Sequence, residues 1–198
     1  MVTTPTTKQV RNDDTKYINA ILYLTANANN KWFGAKKLAK MLYELDFDVY
    51  EEQGKSLTGD IYVKEQYGPL PKRFYEILRK MKDEGYLMYE PKAIDFNGYK
   101  KDLIEAQRDF DPTVFTAQEL ETLQEVASKW LEFSAKNMEN ISHYDAPWLC
   151  AKQHREELDY KLAPYRFGRN EEDEEPDDFD KSLMNAGLFQ KAADEFAG

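Results

Sequence analysis

The stretch Gly54-Lys-Ser-Leu-Thr-Gly-Asp-Ile-Tyr-Val-Lys-Glu-Gln-Tyr-Gly-Pro-Leu-Pro-Lys-Arg-Phe74 gives the chain a turn, a strand, a corner and a helix start. Gly54 and Gly59 bracket a polar turn, where each can take a positive φ without steric cost. Residues 61–67 read as a strand, with Ile61, Val63 and Glu65 on one face and Tyr62, Lys64 and Gln66 on the other. Gly68-Pro69 is expected to stop that strand, and Pro71 stands where a first helical residue tolerates a missing N–H. Phe74, Ile77, Leu78 and Met81 recur at helical spacing, so a helix is expected from residue 71 to about 84, with Gly85 just past its end.

Upstream, Asp13 or Asp14 can cap a helix that gathers Ile18, Ile21, Leu22 and Thr25 on one side, ended by Asn27-Ala-Asn-Asn30. A second helix follows Gly34, with Leu38, Met41, Leu42, Leu45 and Val49 in one apolar stripe. Tyr43, Phe47 and Tyr50 flank the stripe, and such breadth implies burial on more than one side. This is the expected central helix. Downstream, residues 86–89 read as a strand ended near Pro91, and Asn97-Gly98 as a hairpin turn leading to a charged edge arm over 99–104. Thr116-Ala-Gln-Glu119 forms a capping box, with Phe115 and Leu120 spaced as its staple. Two stripes follow: Leu120, Leu123, Ala127, Leu131 and Ser134, then Val126, Trp130 and Phe133. Ser134 caps a short helix carrying Met138 and Ile141, and Asp145 with Pro147 begins a last helix running toward Leu162, stopped by Pro164. The pattern is α+β and mostly α-helical: five to seven helices around a central one, with a small antiparallel sheet or hairpin.

One domain over 13–165 fits the length, with a polar arm at 1–12, an acidic linker at 166–178 and a C-terminal amphipathic segment at 179–198. Of the formal net charge of −10, residues 166–198 hold −6, from four basic and ten acidic side chains. The acidic block at 171–178 repels itself, while Leu183, Leu188, Phe189, Ala192 and Phe196 beyond it make an amphipathic pattern. An acidic body disfavours general affinity for nucleic acid. The lone Cys150 cannot form an internal disulfide, and no run approaches the about 20 apolar residues of a membrane span. A cytoplasmic protein is expected, with no membrane partner; a homo-oligomer stays open.

No residue set converges on a chemistry. Ser142, His143 and Asp145 have the residue types of a hydrolytic triad, but near neighbours on a backbone rarely point at one another. His143 reads as the end of a helix. Cys150 and His154 would share a helical face, yet one Cys and two His cannot build an N/S zinc site. Asp46 and Asp48 fall on different helix faces and read as a solvated edge, whereas Asp60 follows a turn where it can accept backbone N–H bonds. Lys72, Arg73, Arg79, Lys80 and Lys82 make the helix after Pro71 basic, but the 3–4-residue turn of a helix-turn-helix is missing before it. There is no Gly-x-Gly-x-x-Gly or Walker loop. No catalytic residue, metal ligand or cofactor is assigned.

Four pieces in order carry a resemblance: Lys37-Leu-Ala-Lys-Met-Leu-Tyr43; Leu57-Thr58-Gly59-Asp60; Tyr67-Gly68-Pro69-Leu70-Pro71; and Ser142-His143 with Pro147-Trp148. Together they resemble the fingerprint of the Panacea domain, the antitoxin family also described as SocA-like or GepA-like, over roughly residues 15–155. The resemblance implies a non-enzymatic antitoxin that holds a cognate toxin protein in an inactive complex. A proteolysis adaptor or phage-associated regulator of the same family is the alternative, and a winged-helix-type DNA-binding regulator the third class. Candidate partner contacts are Leu57, Thr58, Asp60, Tyr62, Tyr67, Pro69 and Tyr75, together with Leu183, Leu188, Phe189 and Phe196 of the tail. Gly59, Gly68, Pro71, His143 and Trp148 are expected to shape the domain.

Overall fold

Between Gly34, which is extended (φ −149°, ψ 178°), and Gly54, which is left-handed (φ 70°), Ala35–Gln53 form one unbroken helix, α2. The computed structural model describes residues 14–28, 33–94 and 100–166, and α2 is central among them. It packs against α1 (Thr15–Ala26), α4 (Ala117–Trp130), α5 (Ala135–Ser142), parts of both sheets and a 3-10 turn at Tyr160–Tyr165. Its stripe Leu38, Met41, Leu42, Leu45 and Val49 enters the main core with Ile21, Leu24, Phe74, Ile77, Leu123 and Trp130. The flanking aromatics go elsewhere: Tyr43 and Phe47 join Tyr62, Ala151, Leu158 and Ala163 in a second core. That is why one stripe was too narrow to describe this helix.

The polypeptide after Glu65 does not turn straight into a helix. Tyr62–Glu65 form β1, Gln66 and Tyr67 make a two-residue turn, and Gly68–Pro71 return antiparallel as β2. Val63 faces Leu70, and Lys72 N–H donates to Ile61 O at 2.8 Å. Pro69 and Pro71 therefore alternate with the hydrogen-bonding positions, so their missing N–H groups leave no gap in the ladder. The helix expected from Pro71 begins three residues later, as α3 (Phe74–Asp83).

β3 (Leu87–Ile94) and β4 (Lys100–Ala106) form the second antiparallel hairpin, and an irregularity between Glu90 and Ala93 absorbs Pro91 without ending the strand. The β4 arm is an edge, as expected, since its sheet has two strands; an isolated bridge joins Leu103 to Gly34, and Ile104 is buried in the main core. After a 3-10 turn at Pro112–Val114, the capping box starts α4 as read. Glu119 accepts from Thr116 N–H at 2.8 Å and from Lys16 Nζ at 2.6 Å, so one carboxylate caps α4 and ties it to α1. Ser134 caps α5 through Asn137 N–H.

The last helix is a correction. α6 covers only Ala146–Cys150; the chain then turns extended at Ala151, takes φ 64° at Arg155, and lies alongside β1. Lys64 N–H donates to Glu156 O (2.9 Å), Arg155 N–H to Lys64 O (2.7 Å) and Leu158 N–H to Tyr62 O (2.9 Å). Residues 151–166 are a strap that pairs with the free edge of β1, covers the second core and ends at Arg166. Among the described residues no helix is long and apolar enough to cross a membrane. The arm at 1–12, Asp13, Asn97-Gly98 and the residues from 167 onward, with Leu183, Leu188, Phe189 and Phe196, lie outside the described residues.

Candidate functional site

The motif pieces, far apart in sequence, meet around the β1–β2 hairpin. At its base, Asp60 Oδ1 accepts from Ile61 N–H (2.8 Å) and Oδ2 from Arg73 N–H (3.0 Å). One buried carboxylate thus joins the residue before β1 to the residue before α3. Burial raises its pKa, and the two N–H bonds oppose that rise. Tyr160 Oη donates to Asp60 O at 2.9 Å, adding the strap to the same junction.

Beneath the base lies Asp46, which was read as a solvated edge and is wholly buried. It accepts from Thr58 N–H (2.8 Å), Thr58 Oγ1 (2.5 Å) and Tyr62 Oη (2.8 Å). Burial pushes its carboxyl up to about 6 against those three donors. Asp48 has a different fate: with Glu44 it receives the guanidinium of Arg166, whose side chain is fully buried. The Glu44 contact is 2.9 Å, and the ring faces of Tyr43 and Phe47 lie 5.8 and 5.6 Å from the same guanidinium. Burial raises the Glu44 carboxyl, and Arg166 opposes the rise.

Along the flank, Trp148 Nε1 donates to Glu65 O at 3.3 Å, and Lys64 Nζ stands 4.0 Å over the indole. His143 ends α5 as expected and packs on Trp148, ring centroids 4.3 Å apart. Burial, then Lys40, lowers its pKa, which favours neutral imidazole.

At the tip, Gly68 has φ 96°, and a Cβ there would stand 2.5 Å from Lys40 Nζ and 2.7 Å from Ser142 Oγ. Only glycine fits both the backbone angle and the space. Lys40, buried and pushed down to about 8 by that burial, donates to Tyr67 O. This orients the tip peptide and leaves Tyr67 53% exposed. Lys36 Nζ lies 4.0 Å over that ring and 2.8 Å from Glu139, which also holds Lys136 at 2.7 Å.

Of the residues expected to touch a partner, Tyr67 and Tyr75 are exposed. Leu57, Thr58, Asp60, Tyr62 and Pro69 are buried and act inside the fold, a correction for Tyr62 above all. β1 has cover on both faces, so strand alternation did not put Tyr62 outside: it meets Tyr43, Phe47 and Tyr160. Exposed Ile61 and Tyr165, and the Lys36–Glu139–Lys136 group, were not singled out. Ile61 and Tyr165 carry only a local apolar signal; the ion-pair group joins α2 to α5 and has none.

Ser142, His143 and Asp145 do not converge on one another. Ser142 Oγ donates to Glu139 O at 3.0 Å, His143 faces Trp148, and Asp145 lies beside the Tyr43 hydroxyl. His154 sits beyond the end of α6 and meets Glu65 at 2.7 Å, so it shares no helical face with Cys150. No His, Cys, Asp and Glu group suited to a metal occurs among the described residues. Arg73, which precedes α3, and Lys80 on it both engage Asp14, and Lys72 engages Glu157.

Residues 38–149 match the family described as "Antitoxin SocA-like, Panacea domain". The chain belongs to this family. No curated protein and no solved structure matches the chain. The Panacea match runs from within the central helix into α6, so it contains the whole hairpin with Lys40 and Ser142 at its tip, while Lys36 precedes it. The strap and Arg166 lie beyond the match, yet they complete the second core.

Proposed function

We propose that this protein is an antitoxin that neutralises a protein toxin by direct binding, with the β1–β2 hairpin tip as a central contact. The observation that carries this reading is the use made of the motif. Asp46, Thr58, Asp60, Lys40, Gly68 and Trp148 all hold the hairpin in place, and none meets another in an arrangement suited to turnover. What they present is a half-exposed tyrosine on a fixed backbone. Tyrosine buries much area at low entropic cost, and a rigid anchor loses little further freedom on association. Neutralisation then works by occluding or distorting the toxin's active surface, without turnover. Exposed Tyr75 is a further contact, and residues 179–197, with Leu183, Leu188, Phe189 and Phe196, form a second segment that folds against the toxin. A DNA-reading role is disfavoured, because three of the five cations around α3 already face carboxylates of this chain.

The test is to co-express the full chain with the product of the adjacent reading frame. Restored growth and co-purification as a stoichiometric complex are expected. Undiminished toxicity with no association would overturn the reading.

A further inference from the structure

Lys36, Lys40, Glu44 and Asp48 are spaced four apart on α2, so they run along one face of the helix. At one end of this row, Arg166 is locked onto Glu44 and Asp48. At the other, Lys40 and Lys36 hold the hairpin tip. The side chain of Lys36 is 46% exposed and that of Lys136 is 70% exposed, with Tyr67 beside them. Both lysines share the single carboxylate of Glu139, so the surface keeps an excess of one positive charge beside an exposed tyrosine.

The remaining chain, residues 167–198, leaves from Arg166, and within it 171–178 carry seven carboxylates in eight positions. Four residues lie between 166 and 171, five steps with a reach of up to about 17 Å. Lys36 lies eight residues from Glu44 along α2, about 12 Å. The acidic run therefore begins within reach of the tip, and tethering gives it an effective concentration on the order of millimolar. The near side repels it. A cleft of about 200 Å³ beside Glu44 and Asp48 is lined also by Glu125, Val126, Lys129 and Trp130; with Arg166 on Glu44 and Asp48, its three carboxylates meet two cations and leave it net negative. Like charge at the exit and unlike charge at the tip favour one direction.

We propose that in the free chain the acidic run at 171–178 docks on the Lys36–Tyr67–Lys136 surface.

Zero-length carbodiimide cross-linking of the full-length protein without any toxin, read by mass spectrometry, tests it. Amides from Lys36 to Glu139 and from Lys136 to Glu139 report that the reaction and the fold are sound. The expected result is further amides joining Lys36 or Lys136 to carboxylates within 171–178 of the same chain, as shown by mixing with isotope-labelled protein. Their yield should fall at least about ten-fold in roughly 1 M salt, where the screening length is about 3 Å. Replacing all seven carboxylates of the run by amides should leave the Glu139 amides intact and abolish the others. Control amides without any to the run, amides only between two copies, or a yield unmoved by salt would each overturn the docking.

Discussion

Gly68→Ala isolates the claim that the tip is built around a glycine. The backbone at 68 has φ 96°, outside the range an alanine readily adopts, and holding it there costs about 1–3 kcal/mol. The new Cβ also falls 2.5 Å from Lys40 Nζ and 2.7 Å from Ser142 Oγ. Lys40 can retreat only by leaving Tyr67 O, which strands a buried polar group for about 1–3 kcal/mol. Together the loss is about 2–6 kcal/mol. Gly59 is the control: φ 68°, with nothing within 4 Å of an added Cβ, so Gly59→Ala should lose only about 1–2 kcal/mol. Urea unfolding followed by tryptophan fluorescence measures both, with equal m-values confirming a native-state effect. If Gly68→Ala costs no more than Gly59→Ala, the close approach of Lys40 and Ser142 does not shape the tip.

Asp46→Asn should flatten stability between about pH 4 and pH 6. The folded carboxyl, raised to about 6 from 3.8, contributes stability that is full below the unfolded value and lost as pH rises through the folded one, up to about 3 kcal/mol. Denaturant midpoints across that window check it, and parallel slopes for the two proteins would contradict it. Arg166→Met should cost about 3–5 kcal/mol, because Glu44 and Asp48 lose a buried partner, and adding Glu44→Gln should restore part of the loss. Thermal unfolding of the single and double variants decides that. Glu119→Ala should cost about 1–2 kcal/mol through the α4 cap and the part-exposed Lys16 pair, read in the same assay.

The parts legible in the sequence were those held by local rules. Apolar spacing located α1 to α3, Thr116 and Glu119 marked the start of α4, Ser134 the start of α5, and Asn97-Gly98 lay between two arms that do pair. What escaped depended on partners distant in the chain. Pro69 and Pro71 suggested a corner and a helix start because nothing local reveals which residues of a strand will donate. Asp145 and Pro147 suggested a helix running on through the strap, yet bonding to Lys64 and Tyr62 drew residues 156–158 into pairing beside β1. Asp46 lies four residues from Leu42, inside the apolar stripe, and that position was a readable sign of burial; its donors, Thr58 and Tyr62, were not. At the site, Tyr67 was legible as an exposed aromatic beside a Gly-Pro turn, whereas the lysines around it come from α2 and α5 and meet only in the fold.

The central claim is that this chain binds a toxin through the hairpin tip. Calorimetric titration of the adjacent gene's product with the wild type and with Tyr67→Ala tests it most directly, once both are seen to melt at the same temperature. The account predicts a saturable complex with the wild type and a loss of about 30-fold or more in affinity for Tyr67→Ala, as befits a residue contributing about 2 kcal/mol. Equal affinities for the two proteins, or no heat of binding with either, would contradict it.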